Sequence, residues 1–580
     1  MRIQRHLAFL FLVFSTCCFL PPSSAAWQYV SDGGSASAVL TDDAGDVFSA
    51  GRQQDLGAGD QSVVVSKHRA ADGAVLWRYT TSDGGFAQAI VTLAQSNDSS
   101  LFAAIHLKNG SYGAFASAVA RIDANGQEQW RTDFPDVGFF AIAVDSSGDV
   151  VASGRAKGSL PADPNDQDLV VIKLAGATGT EIWRYVLDGG RQVYDSREGE
   201  APKALEIDAS GDVLVAGRIV DSMSIPYHPS TPSLAFPDFL VLKLAGTDGH
   251  LVWQREIRSV AAHGGGANSL AVTANGDVIA MGEAVPDTSG WCDIVVARFA
   301  SGDGTELWRT VVDTGGCDFA SDVALDSTED AFVAGTPGTT VFSVMKFSGS
   351  SGSMLWRHDI PNPGPCLGGE CAGAQAIAID PGGDAVAVGS LAGQGDFVVT
   401  KIRGSDGLEM WLRYVDFHGC DDAARVLATD PSGNVAVGGA SFAPIDGACS
   451  WPNGAQYVVL ELTGASGKDL WNPCQDDLDN DGDDRADYPS DPGCKSVTWP
   501  TENPACQNGL DDDGETGLDY DGGASLNAGV PLDSADPHCI GRPWRKSESP
   551  GVVGCGLGVE LVFPILFLGL WRRRRTRGVR

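Results

Sequence analysis

A glycine four residues before a tryptophan closes a similar sequence block eight times, at Gly73/Trp77, Gly126/Trp130, Gly179/Trp183, Gly249/Trp253, Gly304/Trp308, Gly352/Trp356, Gly407/Trp411 and Gly467/Trp471. Marks that return every roughly fifty to seventy residues, each within a similar block, signal a repeat architecture in which one supersecondary unit stacks on its neighbours. A chain built this way gets its core from stacking and has little freedom to form another fold.

The fourth unit shows the pattern in full. It runs Ala204 to Asp208, a tight turn through Gly211, Val213 to Gly217, a long loop, Asp238 to Leu244, then Gly249 and Trp253. Short apolar or β-branched runs bounded by Gly, Asp or Asn predict four antiparallel strands. The turn Asp-x-x-Gly-Asp/Asn recurs at 42–46, 145–149, 208–212, 380–384 and 430–434. Asp bonds its own backbone two residues on and Gly takes the positive φ, so hairpin chemistry explains these turns with no calcium.

Four-stranded units repeated around a ring make a β-propeller. Trp27-Gln28-Tyr29 before Asp32-Gly33-Gly34 matches Trp183-Arg184-Tyr185 before Asp188-Gly189-Gly190. The mature chain therefore opens on a fourth strand, which is expected to complete the last unit. The expected fold is all-β: an eight-bladed propeller over residues 27–473, closed by its N-terminal strand, then a small Asp/Cys-rich loop segment and a C-terminal hydrophobic helix.

The block Ala175 to Trp183 resembles the tryptophan docking motif of quinoprotein-like propellers. The Asp-x-x-Gly-Asp, Val-Ala-Gly and Asp-Phe-x-Val-x-Lys blocks resemble bacterial secreted β-propeller repeats of the SBBP type. The resemblance implies the fold; a fold does not imply an activity. Quinoprotein dehydrogenases carry a vicinal cysteine pair beside the quinone, and the one adjacent pair here, Cys17-Cys18, lies in the leader. No quinone is expected.

Residues 1–26 read as a signal peptide: Arg2 and Arg5, an apolar run from Leu7 to Phe14, and Ser24-Ala25-Ala26 before the cut. A lipoprotein cut before Cys17 is the competing reading. Eleven of the 13 cysteines remain, and in an exported chain an even set reads as disulfides. With strands running up and down, the 1–2 and 3–4 turns share one face. The 2–3 and 4–1 loops share the other, together with all six propeller cysteines. Expected pairs are Cys292 with Cys317, Cys420 with Cys449 and Cys366 with Cys371. A stapled, loop-rich face is where binding is usually placed, although protection of exposed loops explains the cysteines equally well.

No His-Glu-x-x-His, Gly-x-Ser-x-Gly or Walker A motif is present. His263, His358 and His418 fall on the loop face, where single histidines are ordinarily solvated. Lys67, Arg121, Lys173, Lys243, Arg298, Lys346 and Lys401 close strand three in seven units. A residue needed once per blade is scaffold, so each is expected to pair with a carboxylate. The formal charge of −35 repels nucleic acid and anionic lipid.

Beyond Trp471, residues 474–539 hold seventeen Asp or Glu against two Lys or Arg. Asp477, Asp479, Asp481 and Asp483 alternate before or around a Gly, as a calcium loop requires, and Asp511, Asp513 and Glu515 form a weaker copy with Gly509 at the first ligand position. Both blocks resemble thrombospondin type 3 and dockerin-like loops, but Tyr488 and Tyr520 stand where the twelfth-position Glu is usual. Cys474 with Cys494 and Cys506 with Cys539 would clamp the loops, making residues 474–548 a calcium-stiffened stalk; a disordered acidic stalk is the alternative.

Residues 549–571 are apolar apart from Glu560, and Arg572 to Arg575 begin a basic tail at 572–580. Gly554-Cys555-Gly556 before this run resembles the cysteine-containing C-terminal sorting signals of myxobacteria. That implies cleavage and attachment at Cys555 by sorting machinery; a retained transmembrane helix with a cytoplasmic tail is the other reading. The expected product is an exported protein, anchored through its C-terminus at a bacterial cell surface or outer membrane. Its expected role is non-enzymatic adhesion or binding of a glycan, matrix or cell-surface protein ligand, with a channel enzyme (oxidoreductase, hydrolase or lyase) as the alternative.

Overall fold

The computed structural model describes residues 27–31, 34–54, 61–82, 88–108, 115–157, 167–188, 201–220, 237–259, 265–285, 291–339, 341–361, 373–391, 397–415, 422–442 and 455–465, with positions 534, 535, 537 and 539. Residues 1–470 form one compact unit and 471–580 a second. The first holds eight four-stranded antiparallel sheets. Blades 1 to 7 span 34–82, 88–134, 137–187, 201–257, 266–312, 319–361 and 374–415.

The eighth sheet joins three strands from 423–462 to the strand Trp27–Ser31, which pairs antiparallel with Ala455–Leu462 from Trp27 opposite Glu461 to Ser31 opposite Tyr457. The sequence repeat predicts both the blade number and this closure. First strands adjoin one another from blade to blade, and that of blade 8 adjoins that of blade 1. Strand one therefore lines the axis and strand four the rim.

The hairpin chemistry is as expected. Asp42 Oδ1 accepts from the backbone N–H groups of Ala44 and Asp46 at 3.0 Å each, and Gly45 takes φ 84°. The second carboxylate ties two turns of one blade together: Asp149 Oδ1 accepts from Gly176 N at 2.9 Å. Between the two aspartates sits the strand-three cation. Lys243 Nζ lies 2.7 Å from Asp208 and 3.2 Å from Asp212, with a nearly buried side chain. Arg121 pairs likewise with Asp98.

These cations also fasten blade to blade. Lys173 Nζ and Trp183 Nε1 both donate to the Gly246 carbonyl of the following blade at 3.0 Å. Lys346 with Trp356 on Gly404, and Lys401 with Trp411 on Gly464, repeat the joint. The indole lies against the next blade's glycine: a Cβ on Gly304 would stand 2.7 Å from the Trp253 ring, and Gly304 holds φ 68°. Among the described residues, each Gly-x-x-x-Trp mark from Gly73/Trp77 to Gly352/Trp356 thus joins three blades, its glycine receiving the preceding tryptophan and its tryptophan reaching the following glycine. Apolar clusters fill the spaces between sheets, such as Phe239, Val241 and Trp253 of blade 4 with Val278, Val295 and Phe299 of blade 5.

Candidate functional site

The Val-Ala-Gly block builds the lumen. In seven blades strand one is bulged against strand two, with the register slipping past Ser37, Phe140, Lys203, Asn268, Ser321, Gln375 and Arg425. The strand-two glycine opposite each bulge explains it. A Cβ on Gly51, Gly154, Gly217, Gly282, Gly335, Gly389 or Gly439 would collide with a strand-one carbonyl oxygen. Blade 2 is the natural control: Ile105 stands at the glycine position and its strands pair without a slip.

A bulge re-aims one side chain. Lys203, Gln375 and Arg425 are exposed although they sit on the strand nearest the axis, so what they meet is the lumen. Strand two contributes the residue after the glycine, which reaches toward the next blade. Glycines there make room: a Cβ on Gly266 would lie 3.4 Å from the Arg218 Cβ.

Three adjacent blades gather the chemistry. Arg155 stands over the Phe140 ring, 5.5 Å from its centroid, and reaches Gln167 Oε1 at 3.2 Å. Although Lys203 is reached by solvent in the lumen, the surrounding protein desolvates it and lowers its pKa from the ordinary lysine value, and the neighbouring positive charges of Arg218 and Arg155 lower it further while Glu283 opposes them. Glu283 is fixed by Asn268 Nδ2, 2.9 Å from each carboxylate oxygen, and by Ala320 N at 2.9 Å. Burial nevertheless pushes it up to about 7.

Further along the lumen, the position two residues before the strand-one turn reads Leu40, Ala94, Ala143, Glu206, Ala271, Ala324, Ala378 and Ala428. One carboxyl interrupts a nearly all-alanine ring. Desolvation, with Asp322 adding its charge, pushes Glu206 up to about 7. Asp322 is raised too by burial, although Ser269 Oγ donates to it at 2.9 Å and Ile377 N at 3.1 Å.

On the loop face, Cys292 and Cys317 are joined by a disulfide with Cα atoms 4.7 Å apart. Beside it the carboxylates of Asp293, Asp313 and Asp318 converge within 4.8 Å. Asp318 already accepts from Thr314 N at 2.9 Å, Thr314 Oγ1 at 2.5 Å and Gly338 N at 2.6 Å, which makes it a polar staple for the loop. His358, expected in a loop, lies instead in the outer strand Met354–Pro361, with Nε2 3.3 Å from Glu409 of blade 7. His263, His418, Cys366, Cys371, Cys420 and Cys449 lie outside the described residues. So do Asp477, Asp479, Asp481, Asp483, Asp511, Asp513, Glu515, Cys474, Cys494, Cys506 and Cys555. Cys539 is buried and disulfide-bonded.

No family model and no curated protein sequence matches the chain. Among solved structures it is similar to BamB from Moraxella catarrhalis (12% identity, 64% of this chain, 98% of that one, TM-score 0.36). It is also similar to quinohemoprotein alcohol dehydrogenase from Comamonas testosteroni (10%, 75% and 76%, 0.46) and to Chaetomium thermophilum Sqt1 bound to the N-terminus of ribosomal protein L10 (12%, 75% and 99%, 0.47). At these identities and scores the likeness carries no functional argument. Fold and geometry define the class: an eight-bladed β-propeller with a charged, bulge-lined lumen.

Proposed function

We propose that this chain is a non-enzymatic binding protein, displayed on a bacterial surface through its C-terminal segment, that takes an acidic saccharide at the lumen mouth. The observation that supports it is the gathering of Arg155, Lys203 and Arg218 in a protein of formal charge −35. Cations with planar donors recognise a carboxylate or sulfate. Asn268 and Gln375 suit hydroxyl groups, and the Phe140 ring suits an apolar sugar face.

The surrounding negative charge selects further. A polyanion is repelled by the whole molecule, whereas a sparsely charged oligosaccharide crosses that field and meets the local cations inside a Debye length of about 8–10 Å. The calcium loops and sorting tail belong to the same proposal and rest on the sequence motifs alone.

The test is calorimetric titration of the full chain with an oligogalacturonate and with a neutral galactose oligomer of equal length. The expected result is selective uronate binding that weakens about 10- to 100-fold in Lys203→Met, the range of a lost charge-assisted hydrogen bond. Equal binding of both oligomers, or of neither, contradicts it.

One observation favours a second reading. Glu206, held near neutrality as a proton donor in the lumen, fits the general acid of a hydrolase or lyase. Product release from the same oligogalacturonate, lost in Glu206→Gln, would establish catalysis.

A further inference from the structure

The joint that closes the ring departs from the other seven. Where they place Lys or Arg at the end of strand three, blade 8 places Glu461. The register is unchanged: Glu461 faces Trp27 across the ladder as Lys173 faces Trp183 and Lys243 faces Trp253. Its carboxyl therefore stands where an ammonium stands elsewhere. The turn has changed with it, because Asn434 replaces the second aspartate and donates to Asp430 Oδ2 at 2.8 Å.

Glu461 is 2% exposed, and neither of its carboxylate oxygens has a hydrogen-bond partner of good geometry; the Trp27 side chain, whose Nε1 is committed to the Ala70 carbonyl, partly opposes the rise in its pKa. The charged groups that act on it are Asp430 of its own blade and Asp46 of blade 1. Lys67, the strand-three cation of blade 1, is held by Asp42 at 2.8 Å and Asp46 at 2.9 Å. Trp27 Nε1 donates to Ala70 O at 3.1 Å, as in the ordinary joint. A buried, unpartnered carboxylate beside two others is strongly disfavoured. A neutral carboxylic acid is different, because its O–H donates where the lysine would.

We propose that Glu461 is a neutral acid whose proton replaces the missing ammonium, making the joint between the N-terminal strand with blade 8 and blade 1 a pH-dependent latch. Burial first, then Asp430 and Asp46, push Glu461 from 4.5 up to about 8. A raised folded-state value means the contribution is complete below the unfolded value, erodes as pH rises, and is gone above about 8.

His68 supplies the opposite slope. It stacks on Trp27 with centroids 5.4 Å apart, and its Nε2 lies 2.9 Å from Ser49 Oγ. Burial lowers it from 6.5 to about 4; the Gly73 carbonyl opposes the shift and Arg78 reinforces it. This contribution is complete above 6.5 and is lost as pH falls towards 4. The two slopes oppose each other between 4.5 and 6.5, and Glu461 alone loosens the joint from 6.5 to 8.

Hydrogen exchange of the full chain, followed in a peptide covering Trp27–Ser31 and corrected for the intrinsic rate, tests the latch. Between pH 6.5 and 8 the closing strand of the wild type should open up to about tenfold more per pH unit than that of Glu461→Gln. Glu461→Lys, which restores the repeat, should be flat as well and serves if the amide variant does not fold. Equal slopes in wild type and variants overturn the proposal. So does suppression of the wild-type slope by millimolar calcium at pH 8, which would mean an ionised pair holding a metal.

Discussion

At the scale of single residues, the joint between blades is a glycine without room for a methyl group and a largely buried cation paired with carboxylates. Gly304→Ala meets both the left-handed backbone and the Trp253 ring, and should cost about 2–4 kcal/mol in chemical denaturation. Lys243→Met leaves Asp208 as an uncompensated buried charge and should cost about 3–5 kcal/mol, with much of the loss recovered by adding Asp208→Asn. A double variant no more stable than Lys243→Met would show that charge is not the cause. The sequence makes the glycines, tryptophans and cations visible because each recurs in every unit or nearly so. What it hides is the partner: the glycine and tryptophan of one mark look like a local pair, yet each contacts a different neighbouring blade.

At the scale of the element, the Val-Ala-Gly block looks like an ordinary strand and is the cause of the bulge opposite it. Gly217→Ala drives a methyl group into the Ala201 carbonyl and should cost about 1–3 kcal/mol. It should also weaken oligogalacturonate binding although residue 217 is not a ligand contact, because Lys203 owes its direction to that bulge. Unchanged affinity in a folded Gly217→Ala protein would separate the two. This part of the site was not legible from a single repeat, since Arg155, Lys203 and Glu283 come from three blades and each reads alone as a solvated strand residue. The available signal was the exception within an aligned position: Glu206 among alanines and Glu461 among lysines and arginines.

At the scale of the whole molecule, blade count and closure follow from the sequence because Trp27-Gln28-Tyr29 before Asp32-Gly33-Gly34 repeats a later fourth strand, Trp183-Arg184-Tyr185 before Asp188-Gly189-Gly190. The ring depends on that one strand. Deleting residues 27–31 leaves Ala455–Leu462 as an uncovered apolar edge. The expected outcome is concentration-dependent association on size-exclusion chromatography and loss of a single cooperative unfolding transition; a monodisperse, cooperatively unfolding variant would show that the closing strand is dispensable. Lumen and closing joint are separate devices, so the latch can fail while the binding site stands.

The proposed ligand is expected in the lumen and not on the outer loops. Hydroxyl-radical footprinting of the full chain with and without oligogalacturonate addresses this placement directly. Phe140 and Ile90, on the axial strands of blades 3 and 2, should lose oxidation when the ligand is present. Protection confined to the 2–3 and 4–1 loops, with Phe140 and Ile90 unchanged at saturating ligand, would contradict it.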